Sequence, residues 1–226
     1  MTAATSHGQG GDIQVYAGVV VGSGADLQAP CILGKPPRGV AAGQLPLTIG
    51  DDALVGPFTT IYAGSVLGDR LRTGQGASVR EDNVVGNDVS LGTNAVLEPG
   101  NRIGSRVRIH TGCFLEMTTV EDDVFVGPHT VFTDDPHPAG CPRYRDCKGG
   151  ALVRRRSRIG ANVTVLPGVE IGEDSLVGAG SVVVDDVPPG AVVVGNPARV
   201  VKAVADLTCP PGFFERPYVW PPYAGT

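Results

Sequence analysis

Residues 49–115 read IGDDALVGPFTTIYAGSVLGDRLRTGQGASVREDNVVGNDVSLGTNAVLEPGNRIGSRVRIHTGCFL. Stepping by six from Ile49 gives Val55, Ile61, Leu67, Thr73, Val79, Val85, Leu91, Leu97, Ile103, Ile109 and Leu115. Eleven of these twelve positions are Ile, Val or Leu. Glycine often follows, at 50, 56, 68, 74, 86, 92 and 104. The fourth residue after each aliphatic is usually small or apolar, as at Ala53, Thr59, Ser65, Ala77, Ala95 and Cys113. The period persists with one residue deleted at Val120, Val126 and Phe132. It resumes after a loop at Val153, Ile159, Val165, Ile171, Val177 and Val183. Upstream, Val15, Val21, Leu27 and Leu33 keep the step until residues 34–48 interrupt it.

A period of six is neither 3.6 nor 2, so it describes neither an amphipathic helix nor an alternating strand. It describes a short strand ending in a corner, with one branched aliphatic pointing inward. Three such units close a triangular coil, and stacked coils pair each strand with those above and below. The inward positions predict about eight coils and a prism about 40 Å long. Parallel crossovers are usually right-handed, and period alone does not set the hand.

Composition agrees. The chain has 226 residues, 42% hydrophobic and 18% charged, with 33 glycines and 19 prolines. So many turn-formers exclude a mainly helical fold. The net charge of −5 argues against a general nucleic-acid binder. No apolar run reaches the roughly 18 residues of a membrane span. The start, MTAATSHGQGGD, lacks a basic and apolar signal region, so a cytoplasmic location is expected. Five scattered cysteines do not suggest a disulfide framework.

The hexapeptides, with VGAGSVVVDDVPPGAVVVGNPARVV at their end, resemble the left-handed β-helix acyltransferases of the hexapeptide-repeat superfamily over residues 13 to 202. That resemblance implies left-handed coiling, a homotrimer with active sites between subunits, and acetyl-CoA as co-substrate. The expected organisation is a flexible arm at 1–12, a β-helix domain at 13–198 with loops 34–48 and 133–152, and a tail at 199–226. The tail begins with a short helix over about 199–207. It holds five of the aromatics, Phe213, Phe214, Tyr218, Trp220 and Tyr223, expected to cover an open coil end or to stack on a base or sugar.

Residues 18 apart share one edge of the prism. One column reads Gly56, Gly74, Gly92, His110 and, after the deletion, Gly127, so an imidazole stands in a file of glycines. The neighbouring column reads Tyr62, Arg80, Glu98 and Glu116, where stacked carboxylates repel unless Arg80 or a ligand amine compensates. The segment DDVFVGPHTVFTDDPHP resembles the stretch before the catalytic histidine of the maltose and galactoside O-acetyltransferases. Carried over, His137 is the base, with Asp134 and Asp135 to orient it. EDDVFVGP, VFTDD and IGANVTVLPGVEIGEDSLVGAGSVV resemble the sugar-nucleotide amino-sugar N-acetyltransferases more closely. Gln75 falls where related proteins often carry histidine and can only hydrogen-bond.

The same resemblance implies that the amide arm of CoA lies against small corner residues, Ala161, Gly178, Ala179 and Gly180. Arg199 and Lys202 are candidates for its phosphates, as are Arg154, Arg155, Arg156 and Arg158. His137, Cys141 and Cys147 offer three soft ligands for a structural zinc, one short of the usual set. The expected function is N-acetylation of an amino sugar or sugar nucleotide, with His137 or His110 taking the proton. Rival readings are O-acetylation of a sugar or small-molecule hydroxyl, a metal-dependent carbonic-anhydrase-like β-helix, and a non-catalytic scaffold. The chain's four histidines, His7, His110, His129 and His137, leave little for a three-histidine metal site.

Overall fold

The structure is a computed structural model that describes residues 5–6, 12–138, 140–147 and 149–218. Very short strands, most of two residues, stack in parallel into three sheets of eleven, nine and eight strands. The chain visits them in turn. Leu54–Val55 lies in the first face, Thr60–Tyr62 in the second, Val66–Leu67 in the third, and Arg72–Thr73 returns to the first. Register follows the 18-residue step, as in Thr73 opposite Val55 and Leu91. The result is a β-solenoid of nine to ten turns. This exceeds the eight expected, because Thr5–Ser6 pairs with Asp26–Leu27 and Ala191–Gly195 adds a further rung to the first face.

Every six-step position from Leu27 to Val183 is buried. Burying each branched aliphatic is worth about 1.5–3 kcal/mol, so the column is the main favourable contribution to folding. The one polar member, Thr73, is also buried, and its hydroxyl receives the Gly56 N–H at 2.9 Å and faces Thr59 Oγ1 at 3.2 Å. The small fourth residues are buried too, Ala53, Thr59, Ser65, Ala77, Ala95 and Cys113 among them. Val15 departs from expectation. It stands opposite Leu33 in register but is 53% exposed, because it belongs to an end coil with little packed against it.

The tail also departs. Residues expected to be helical form the strand Ala198–Ala203, antiparallel to Ala191–Gly195, followed by a 3-10 turn at Val204–Asp206. The last parallel strand presents unpaired N–H and C=O groups, and a returning strand satisfies them where a helix could not. Of the expected flexible arm, Thr5–Ser6 is a strand, and the remainder up to residue 11 lies outside the described residues. Phe213 and Phe214 are exposed, Tyr218 stacks on Arg158 at 3.9 Å, and Trp220 and Tyr223 lie outside the described residues. No helix among the described residues is long and apolar enough to cross a membrane.

The three edges differ sharply. On the third edge, between third and first faces, side chains tie each coil to the next. Asp69 Oδ1 accepts from Asp51 N at 2.9 Å, Asn87 Oδ1 from Asp69 N at 2.8 Å, and Asp122 Oδ1 from Ser105 N at 2.8 Å. Beside them runs a ladder of alternating charge, Asp52, Arg70, Asp88, Arg106, Asp123, Arg156 and Asp174, all with positive φ. Its pairs include Arg70–Asp88 at 2.6 Å, Arg106–Asp123 at 2.6 Å and Arg156–Asp174 at 2.7 Å.

This ladder makes acid the weak side of the fold. The hydrogen-bonded guanidinium of Arg70 holds Asp88 below the usual carboxylate range, and Arg156 does the same for Asp174. Burial opposes ionisation of Glu121, but the Arg155 N–H and the Arg154 guanidinium outweigh it. A carboxylate whose value is lowered by folding adds stability above its unfolded value and loses it as pH falls through the folded one. Each exposed pair is worth only about 0–1 kcal/mol, so the effect comes from several together. The melting temperature is expected to hold from about pH 8 to 5 and to fall from about pH 4 downward. Thermal melts by circular dichroism check this; a melting temperature at pH 3 equal to that at pH 7 contradicts it.

Candidate active site

The first edge, between first and second faces, is built differently. Its leading column is Gly56, Gly74, Gly92, His110, Gly127, Gly160 and Gly178, continuous through the paired strands that precede each. These glycines are forced by the closeness of successive coils. A Cβ on Gly127 would lie 2.7 Å from the carbonyl carbon of Gly160 and 2.8 Å from Ala161 N, and one on Gly160 would lie 2.5 Å from Ala179 N. The obstacle is backbone, which cannot swing aside as a side chain can.

His110 interrupts this file and is exposed. Its ring rests against Phe125, centroids 4.8 Å apart, and its main-chain N–H donates to Val126 O at 3.0 Å. Ala161, Gly178, Ala179 and Gly180 lie on the same edge, in coils beyond His110; Ala179 and Gly180 are exposed, and Ala161 and Gly178 partly so. The structure therefore brings one candidate base and the small-residue candidates for the CoA arm onto one edge. It adds His129, for which the sequence suggested no role. His129 is exposed with φ 59°, and its ring covers Gly112, where a Cβ would collide with it. The signal was available: 112 plus the 17 residues of the shortened coil gives 129.

Glu116, Asp134 and His137 lie on the second edge, between second and third faces. Both insertions, 34–48 and 133–152, leave the solenoid there. Arg80 bridges Glu81 at 3.0 Å and Glu98 at 3.3 Å, with its guanidinium 4.9 Å from the Tyr62 ring centre, so it offsets the carboxylate column. Glu116 is half-buried one coil beyond Glu98. Asp134 accepts the Gly149 N–H at 2.7 Å through its carbonyl, which closes the base of the loop. His137 is exposed, and Asp135 Oδ1 takes its main-chain N–H at 2.8 Å. Asp135 thus fixes the loop backbone at His137. In one chain the second face separates His110 from His137, so the two candidate bases do not meet.

Beneath this edge runs a buried ladder of amides. Asn101 Nδ2 donates to Asn83 Oδ1 at 2.9 Å, Glu98 O at 2.6 Å and Leu115 O at 3.2 Å, while its Oδ1 accepts from Thr118 N at 2.9 Å. Asn83 Nδ2 reaches Arg80 O at 2.9 Å and Glu98 O at 3.1 Å.

The arginine cluster is largely committed to structure. Arg154 pairs with Glu121 at 2.9 Å and Glu170 at 2.8 Å, Arg155 with Glu173 at 2.7 Å, and Arg156 with Asp174. Arg199 and Lys202 are exposed on the returning strand, Arg199 touching Asp185 at 3.1 Å. In the loop, Cys147 Sγ lies 3.7 Å from Arg143 O. The Cys147 thiol is pushed up, first by partial desolvation within the loop and then by its neighbours Cys141 and Asp135. Among the described residues no group of three His, Cys, Asp or Glu could hold a metal ion.

Comparison with known proteins agrees with the repeat. Residues 150–185 match the family model described as bacterial transferase hexapeptide (six repeats). A stretch of 50 residues, 22% of this chain and 21% of the relative, is 58% identical to 2,3,4,5-tetrahydropyridine-2,6-dicarboxylate N-acetyltransferase of Clostridium perfringens. A stretch of 94 residues, 39% of this chain and 45% of the relative, is 33% identical to galactoside O-acetyltransferase of Escherichia coli. The chain thus spans between a fifth and under half of the length of these curated relatives. UDP-N-acetylglucosamine acyltransferase from Campylobacter jejuni superposes with a TM-score of 0.70 over 84% of this chain and 72% of that one, at 15% identity, and shares the fold.

Proposed function

We propose that the chain, whose residues 150–185 match a bacterial transferase hexapeptide model, is a CoA-dependent acetyltransferase that acylates an amine of an amino sugar or sugar nucleotide. The observation that carries this reading is the first edge, where the column of an exposed histidine continues into later coils as Gly127, Gly160 and Gly178, with Ala161 and Ala179 next to the last two. Acetyl-CoA lies along that edge, its amide arm against Ala161, Gly178 and Ala179 and its phosphates toward Arg199 and Lys202. The relatives named above, one an N-acetyltransferase and one an O-acetyltransferase, support the donor and leave both acceptors in view.

The acceptor nitrogen attacks the thioester carbonyl carbon, the C–S bond breaks, and CoA leaves as thiolate. His137 takes the proton lost by the nitrogen and returns it to the sulfur; His110 hydrogen-bonds at the donor end, and backbone N–H groups at the corner hold the oxyanion. Because His110 and His137 stand on different edges of one chain, the site is shared. The first edge comes from one subunit and the loop with His137, Asp134 and Glu116 from the next. The third face supports self-association: Val20, Val66 and Val84 point outward along one column and are 61%, 52% and 44% exposed. A homotrimer meets both requirements.

Incubation with acetyl-CoA and a panel of amino sugars and their nucleotides, with release of free thiol measured, tests the reading. Thiol released with amines and not with the matching hydroxyl sugars is expected. Release only with hydroxyl sugars makes the protein an O-acetyltransferase, and release with neither removes the proposal.

A further inference from the structure

Thr59, Thr130 and Ser181 bond to backbone on the inner side of the first edge, but its outward polar residues have nothing to hold. On the third edge, corner side chains such as Asp69, Asn87 and Asp122 receive the amide of the adjoining coil. On the first edge the equivalent residues are Gln75, Thr93 and Thr111, with Asn94 beside them. Their side chains make no hydrogen bond among the described residues, and Gln75, Asn94 and Thr111 are exposed. No Asp, Glu, Lys or Arg occupies the outer corner positions of this edge at 56–58, 74–76, 92–94, 110–112, 127–129, 160–162 or 178–180. Uncharged donors and acceptors therefore repeat at the coil spacing of about 4.8 Å.

The row ends at Phe58. Its backbone is left-handed, with φ 61°, and its side chain is 66% exposed. The same corner position in later coils holds Gly76, Asn94, Gly112, His129, Asn162 and Gly180, types that tolerate this conformation. A bulky aromatic there is strained, and burial within the chain does not repay it. Phe58 sits three coils below Gly112, so roughly 14 Å of neutral hydrogen-bonding surface separates its ring from the His110 corner.

We propose that this lower half of the first edge is a carbohydrate track. An extended β-linked pyranose chain repeats at close to the coil spacing, so successive sugars meet Thr111, Thr93 with Asn94, and Gln75 in turn. The ring of Phe58 covers the apolar face of the last sugar. Hydroxyl-rich, uncharged units match an edge with no ionic group, whereas a nucleoside diphosphate would place two phosphates where no cation stands at the corners. The track deepens the acetyltransferase reading and rests on it for the position of the reacting sugar: the acceptor amine belongs to a unit of an oligosaccharide that extends from His110 toward Phe58.

Calorimetry with the β-1,4-linked tetrasaccharide of N-acetylglucosamine and with its monosaccharide, without CoA, tests the track. The tetrasaccharide is expected to bind at least about tenfold more tightly. Phe58→Gly, which suits the left-handed backbone, is expected to weaken the tetrasaccharide at least about fivefold while the melting temperature stays level or rises. Gln75→Ala with Thr93→Val gives a second, independent loss. Equal affinity for the two sugars, no binding of the tetrasaccharide, or unchanged affinity in Phe58→Gly overturns the track. So does a change of mass in solution on Phe58→Gly, which would mean that a second copy covers the ring. Thiol release with a partly deacetylated tetrasaccharide, which offers the free amine that the fully acetylated one lacks, separates the two ideas: binding of that sugar without transfer from acetyl-CoA removes the reaction and keeps the track, and transfer to glucosamine alone does the reverse.

Discussion

Oligomers assembled from a mixture of His110→Ala and His137→Ala subunits are expected to recover acetyl transfer that neither variant supports alone. The expectation follows from where the two imidazoles stand. His110 is on the first edge, His137 is on a loop that leaves the second, and the second face lies between them. A site that uses both must draw them from different copies. His137→Ala by itself is expected to lose about 10²-fold or more in kcat, the usual worth of a positioned proton acceptor, and His110→Ala about as much through the lost hydrogen bond at the donor end. When equal amounts of both variants assemble at random into trimers, about a quarter of all seams pair an intact His110 with an intact His137, so about a quarter of the native rate should return. Unfolding and refolding the mixed variants, followed by the thiol-release assay, reads this directly. Full activity in either single variant, or no recovery in the mixture, contradicts a shared site. A loss of only a few-fold in His137→Ala would remove His137 as the base and mean that another group takes the proton from the amine, whose neutral form is already nucleophilic.

The second large effect concerns folding. Asn101→Leu is expected to destabilise the protein by roughly 3–6 kcal/mol, although it keeps the branching and heavy-atom count of the side chain and adds apolar surface. The Asn101 side chain is fully buried and serves partners in both directions, the carbonyls of Glu98 and Leu115 and the amide N–H of Thr118. Leucine satisfies none of them, and each buried backbone group left without a partner costs about 1–3 kcal/mol. Ser65→Ala removes a hydroxyl that donates to Arg80 O at 2.8 Å and accepts from Asn83 N at 3.1 Å; because Arg80 O keeps the Asn83 amide, only one backbone group loses its partner, and the cost should be smaller, about 1–3 kcal/mol. Urea unfolding of the two variants gives the comparison. Equal midpoints would show that the amide ladder adds nothing beyond packing.

Part of the site was open to arithmetic on the sequence. Counting by 18 places His110 among glycines and puts Ala161, Gly178 and Ala179 on the same edge once the deletion and the loop are allowed for. The same counting passes through Arg70, Asp88, Arg106, Asp123, Arg156 and Asp174, an alternation of sign that marks these cations as partnered. Reading 154–158 only as a dense basic run hid that alternation. The helix expected at 199–207 failed for a different reason. Its residues are governed by the unpaired rim of the first sheet, a non-local demand that local propensity cannot register.

The six-residue period alone determined the three-faced prism, its inward column and which residues share an edge, because each coil repeats the same short unit and a stacked neighbour is a fixed distance away along the chain. Only the folded structure decided what each edge does. It shows the third edge closed by its own ion pairs, the second carrying both insertions over a buried amide ladder, and the first with uncharged polar side chains left free. Those outcomes depend on which side chains can reach one another across coils, and the distance between two atoms in space is not written in the spacing of their residues.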